Sequence, residues 1–108
     1  MRENSAETSA VDPATAGFLK ALASETRQRV MQQFTGGIEL TVGEIAERCA
    51  LKPSTASEHL SLLRRGGLVT SRKEGKQVFY RADGATTTEH LSALQAYLAR
   101  CCPPDRTG

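Results

Sequence analysis

The 108-residue chain has no tryptophan, and aromatic residues make up only 5% of it. A core without large rings must rest on Leu, Val, Ile and Ala. At this length there is one such core, too small to wall a deep enzyme cleft. No apolar run approaches the roughly 20 residues that cross a bilayer as a helix. The opening stretch, Met1 to Pro13, is polar and lacks the apolar segment of a secretory signal. The expected location is therefore the cytoplasm, with no membrane partner. Cysteine is scarce as well. Cys49, Cys101 and Cys102 are odd in number and too few for a disulfide framework. In a reducing compartment such thiols serve as core filler, ligands or sensors. The chain shows neither a nucleophile–base–orienter spacing nor a phosphate-cradling loop. Gly36-Gly37 and Gly66-Gly67 read instead as helix stops. The expectation is a protein that is not an enzyme and carries no permanently bound cofactor.

Charge is present but unevenly spread. Between Arg48 and Arg81 there are eight basic residues, Arg48, Lys52, Arg64, Arg65, Arg72, Lys73, Lys76 and Arg81, against Glu58 and Glu74. That surplus of six sits in a chain of net charge +2, so the remainder is acidic. A basic segment on a near-neutral chain suggests a nucleic-acid face. On charge alone, a solvated surface reads equally well.

Residues 1–11 carry Ser, Thr, Glu and Ala without a periodic apolar face and read as a flexible tail. Asp12 before Pro13 is an N-cap followed by a first-turn proline, and Phe18, Leu19 and Leu22 give that helix its stripe. Ser24 caps a second helix through Val30, Met31 and Phe34, ending at Gly36-Gly37. Ile38-Glu39-Leu40 reads as a short extended segment. Thr41-Val42-Gly43-Glu44 has capping-box spacing and opens a helix with Ile45, Ala46 and Cys49. Ala50-Leu51-Lys52 is a tight connection, and Pro53 opens the next helix, to Arg65. Two short helices joined by a brief turn, the second polar at its start, form a helix-turn-helix. Leu68 to Arg72 and Gln77 to Arg81 are β-prone around a charged tip, Lys73 to Lys76. A basic hairpin in that place is a wing. Thr86-Thr87-Thr88-Glu89 has the spacing of a second capping box. The last helix carries Leu91, Leu94, Leu98 and Cys101, with Tyr97 and Cys102 beside them, and Pro103-Pro104 ends it. The expected fold is mainly α with a small β-hairpin wing, a winged helix-turn-helix. Its order is helix, helix, short strand, helix, helix, strand, strand, helix. It spans residues 12–102, with 103–108 as a C-terminal tail.

Several of these segments resemble the ArsR/SmtB family of winged-helix repressors. They are Leu19-Lys20-Ala21-Leu22-Ala23-Ser24-Glu25-Thr26-Arg27, Glu39-Leu40-Thr41-Val42-Gly43-Glu44-Ile45-Ala46-Glu47, Ser54-Thr55-Ala56-Ser57-Glu58-His59-Leu60, Gly66-Gly67-Leu68-Val69 and Gly75-Lys76-Gln77-Val78-Phe79-Tyr80-Arg81. The resemblance runs from about Phe18 to Tyr97. It implies a homodimer joined through its first and last helices. It also implies binding to double-stranded operator DNA, relieved by a metal, metalloid or redox signal. The base-reading helix would be Pro53 to Arg65, with Ser54, Thr55, Ser57 and His59 toward the groove. His59 also reads as a packing or merely exposed histidine. Glu58 stands where many relatives have Arg, and a carboxylate accepts only from a base such as cytosine. Lys52 joins this DNA-contacting set. Arg64, Arg65, Arg72, Lys73 and Lys76 read as phosphate contacts, which set affinity rather than sequence.

The family's inducer sites vary in position, so each is checked against the residues present. Thr41-Val42-Gly43 has no cysteine where one group of relatives holds metal. Residues 91–102 contain no Asp, Glu or His, so Asp83, Glu89 and His90 lack partners for a closed zinc site on the last helix. Val30 to Phe34 lacks the second-helix cysteine of redox-sensing relatives. Cys101-Cys102 remains, similar in place to the pair of arsenic-responsive relatives. Those relatives usually carry a further cysteine downstream, and Pro103 to Gly108 has none.

Trivalent arsenic forms three bonds. Two thiols leave one position for a group already on arsenic, so the pair favours a monosubstituted organoarsenical such as methylarsenite. The expectation is a repressor released when Cys101 and Cys102 capture a trivalent arsenical. Cys49 would supply a third thiol only by leaving the core, where a free cysteine acts as a small hydrophobe. The alternatives are arsenite or antimonite with a third thiol, another thiophilic metal, an oxidant forming a strained vicinal disulfide, or no thiol ligand at all. In the last case Cys101 packs in the dimer stripe and Cys102 is incidental.

Overall fold

The computed structural model describes residues 11–105; all but the last residue of the expected N-terminal tail, and residues 106–108, lie outside that range. The helices are α1 (Pro13–Leu22), α2 (Glu25–Gln32), α3 (Val42–Cys49), α4 (Pro53–Arg65) and α5 (Gly84–Cys101). The strands are β1 (Leu40–Thr41), β2 (Val69–Glu74) and β3 (Gln77–Ala82). β3 lies between β1 and β2, and both pairings are antiparallel.

Local capping chemistry sets the helix starts. The Asp12 carboxylate accepts from the Thr15 amide at 3.1 Å. Hydrogen bonding from the Thr15 side chain, and then from this amide, holds the carboxyl below its usual range. Ser24 Oγ accepts from the Arg27 amide at 3.2 Å. Thr41 and Glu44 exchange both capping-box bonds, at 3.2 and 2.8 Å. α3 closes with a Schellman turn: the amides of Ala50 and Leu51 donate to Glu47 and Ala46. Ala50 adopts the left-handed conformation, φ 55°, that this turn requires.

The last helix starts differently from the sequence expectation. Thr86 to Glu89 is not its capping box. Asp83 caps the helix instead, accepting from the Thr86 amide at 3.1 Å and the Thr86 hydroxyl at 2.9 Å. An aspartate one turn ahead satisfies the first orphan amides before the threonine run is reached. The helix ends at Cys101, one residue early, leaving Cys102 outside it. α2 also stops short of the glycine pair. After Gln32 the chain tightens into bonds from the amides of Phe34 and Thr35 to Met31 and Gln32, which turns Phe34 into the core at 2% exposure. The wing tip is narrower than expected. Lys73 and Glu74 pair with Val78 and Gln77, leaving a two-residue turn at Gly75-Lys76, with Gly75 at φ 63°.

Phe18, Val30, Phe34, Leu40, Ile45, Leu60, Leu63, Leu68 and Val69 form one buried cluster, joined by Cys49 and three alanines. It lies between α1, α2, α3, α4 and the base of the sheet. No residue of α5 is buried. Among the described residues no helix is long and apolar enough to cross a membrane.

Candidate nucleic-acid interface and thiol pair

α4 divides its residues by helical period. Ala56, Leu60 and Leu63 are fully buried, at the i, i+4, i+7 spacing of one face. Ser54, Ser57, Glu58, Arg64 and Arg65 are exposed, as is Lys52 just ahead of the helix, and Thr55 is half-buried. The structure thus brings the expected polar set onto the outer face of one helix.

His59 lies on the flank of that face, half-buried. Arg27 Nη1 donates to His59 Nδ1 at 3.3 Å. Arg27 also donates from Nε to the Ala21 carbonyl at 2.6 Å and from Nη2 to that of Lys20 at 3.3 Å. A guanidinium only donates, so Nδ1 accepts and the ring proton sits on Nε2. Arg27 therefore clamps the end of α1 to α4, a role absent from the expected site set.

The wing places Lys76 at its exposed tip and Lys73 exposed near the end of β2, with Arg81 exposed on β3. Arg72 is different. Its Nε and Nη2 donate to the two Glu39 oxygens, each at 2.8 Å, and its Nη1 donates to Glu74 at 2.6 Å. The guanidinium carbon lies 4.7 Å from the centroid of the Phe79 ring. The bond from Arg72 is the main reason the Glu39 carboxyl is held below its usual range. Arg72 is held above the ordinary arginine value by its bonds to Glu39 and then Glu74. The expected phosphate contact is thus occupied by two carboxylates. The sequence offers no sign of this, because Glu39 lies far from Arg72 along the chain.

Cys101 and Cys102 are both exposed. The Cys101 thiol is pushed up from its ordinary value. The largest cause is its hydrogen bond with the Cys102 thiol; desolvation and the Cys102 charge act the same way, and Arg100 opposes them. The Cys101 thiol donates to the Leu98 carbonyl at 3.9 Å. Cys102 also lines an open groove of about 510 Å³ with Leu91, Leu94, Gln95, Leu98, Ala99 and Pro104. Cys49 is 7% exposed and packed in the core cluster, so the structure does not bring it to the pair. Among the described residues no three His, Cys, Asp or Glu side chains gather where they could hold a metal ion. His90 packs instead on α1, with Nδ1 3.4 Å from Thr15 Oγ1 and its ring 5.1 Å from that of Phe18.

Comparison with known proteins places this geometry. Residues 22–72 match a helix-turn-helix domain family. Over 88 residues the chain is 33% identical to a biofilm growth-associated repressor of Agrobacterium fabrum, covering 82% of this chain and 73% of that protein. A homodimeric winged helix-turn-helix DNA-binding domain from Mycobacterium bovis, a possible ArsR-family transcriptional regulator, superposes with TM-score 0.64 at 30% identity, covering 82% of each chain. The chain belongs to the ArsR/SmtB family of winged-helix regulators. That family comprises transcriptional regulators rather than enzymes. A second structure, a possible transcriptional regulator for arsenical resistance, superposes with TM-score 0.66 at 33% identity, covering 76% of this chain and 84% of that one. The transcriptional activator HlyU of Vibrio cholerae is 46% identical over 63 residues, which is 58% of this chain. The match spans little more than half of HlyU, 57% of its length.

Proposed function

We propose that two copies pair through α1 and α5 into a dimer that represses transcription and releases its operator when Cys101 and Cys102 capture a trivalent arsenical. In this reading each α4 enters a major groove, the two at a spacing near one DNA turn, roughly 34 Å. Ser54, Thr55, Ser57, Glu58 and His59 meet base edges. Lys52, Arg64, Arg65, Lys73 and Lys76 neutralise phosphates. Repressor activity is supported by the Agrobacterium relative, pairing by the M. bovis homodimer and arsenical response by the arsenical-resistance neighbour.

The observation that carries the sensing half is the placement of two adjacent, exposed thiols at the end of α5, the helix whose Leu91 and Leu98 stay largely exposed among the described residues. With methylarsenite, two arsenic–sulfur bonds form and two arsenic–hydroxyl bonds break. Each thiol proton leaves with a hydroxyl as water, and arsenic keeps its methyl group and its oxidation state. Two thiols complete the coordination without a third. Capture reshapes the end of α5 and so the orientation of the two reading heads. The ligand acts only through its different affinity for the two arrangements of the dimer. The free thiols this chemistry requires suit a cytoplasmic location.

The test is a variant with Ser at both 101 and 102. It is expected to bind operator DNA as the parent does and to stay bound when methylarsenite is added, followed by fluorescence anisotropy of labelled DNA. Release of that variant by methylarsenite would overturn the assignment of the pair.

A further inference from the structure

One ionic fork joins the wing to the helix-turn-helix. Glu39 lies one residue ahead of β1, and β1 runs directly into the capping box that starts α3. Arg72 lies on β2, opposite Phe79 of β3. The fork therefore connects the segment entering the helix-turn-helix to the wing. Phe79 makes a platform under the guanidinium, and Glu74 takes the donor that Glu39 leaves free. β1 has only two residues and pairs with the wing at only two positions, so backbone bonding alone gives the wing a short hold on the rest of the fold.

A carboxylate beside a DNA-binding surface repels phosphates and lowers affinity through its charge. Glu39 nonetheless takes two of the guanidinium's bonds, in the parallel geometry that makes Arg–carboxylate pairs directional. We infer that Glu39 is a positioning residue for DNA binding: through Arg72 it fixes the angle between wing and reading helix, and Arg72 holds the wing rather than a phosphate. The inference rests on the proposed docking of α4 and the wing on the same DNA. A wing already at its docked angle loses less conformational freedom on binding.

The experiment measures DNA affinity of the full chain across a salt series. Glu39→Gln removes a negative charge, so charge alone would tighten binding. Here it is expected to weaken binding roughly twofold to fivefold, the range of an exposed ion pair. Arg72→Ala is expected to weaken binding without changing the slope of log affinity against log salt. Lys73→Ala or Lys76→Ala should reduce that slope by about 0.9 for each phosphate that is no longer neutralised. In the Arg72→Ala background, Glu39→Gln should no longer weaken binding. Faster amide exchange across β2 and β3 in free Glu39→Gln, with the melting profile retained, is the matching structural readout.

Unchanged or tighter binding by Glu39→Gln, or a slope reduced by about 0.9 in Arg72→Ala, would overturn this inference and leave DNA binding itself standing. Failure of the parent chain to bind DNA would instead bring down the proposed function and the inference with it.

Discussion

At Gly66 the backbone is ordinary, with φ −81°, so the position needs glycine for space and not for conformation. A Cβ there would lie 2.7 Å from Ala21 Cβ, 3.1 Å from the Gly17 carbonyl oxygen and 3.3 Å from Leu68 Cδ1. α1 and α4 meet at this point. Gly66→Ala is expected to destabilise the fold by about 1–3 kcal/mol, the usual cost of overpacking. The urea midpoint should fall while its slope is kept. In the sequence the glycine pair is legible as a helix stop, but this second reason for it is not, because Ala21 and Gly17 are remote along the chain. Arg27 and Arg72 escaped for the same reason. Each was legible as a cation, but the carbonyls, imidazole and carboxylates that hold them are brought close only by folding. The exposure of Lys76 was legible, since a hairpin tip exposes its side chains whatever packs elsewhere, and Lys73 beside it on β2 is exposed as well.

Helices were legible where their caps are local. Asp12-Pro13, Ser24 and Thr41 with Glu44 each announce a start within four residues, and the structure uses all three. The misplaced start of α5 shows the limit of that signal: the capping-box spacing begins at Thr86, but the Asp83 carboxylate three residues earlier takes the cap. α5 also differs from the other helices in what it buries. Leu91 and Leu98 are 49% and 45% exposed, and Leu94 between them is half-buried. A stripe at i, i+3 and i+7 is the pattern of a helix that packs against another. The chain's own core does not take it up, because its N-terminal half is spent on α1 through His90. Leu91→Asp combined with Leu98→Asp is expected to leave the helical circular dichroism near that of the parent, since neither side chain is in the core. It should shift sedimentation from dimer to monomer and abolish operator binding. A dimer that persists in this variant would place the subunit contact elsewhere.

Across the whole molecule, most of the basic surplus of residues 48–81 folds into α4 and the wing, and the thiol pair lies at the C-terminal end of α5. The proposed reading and sensing roles therefore fall on different elements. They are joined inside one chain by the packing of α5 on α1 and of α1 on α4. Under the proposed function two losses should be separable: substitutions among the charged residues would change how tightly DNA is held, and substitutions of the cysteines when it is let go. The measurement that bears most directly on the account is release of the reduced parent protein from its own upstream DNA, with methylarsenite and arsenite titrated side by side. Two thiols with the third arsenic position filled by carbon predict release at lower concentrations of methylarsenite than of arsenite. Equal release by arsenite would contradict the two-thiol site, and release by neither would contradict arsenical sensing by this chain.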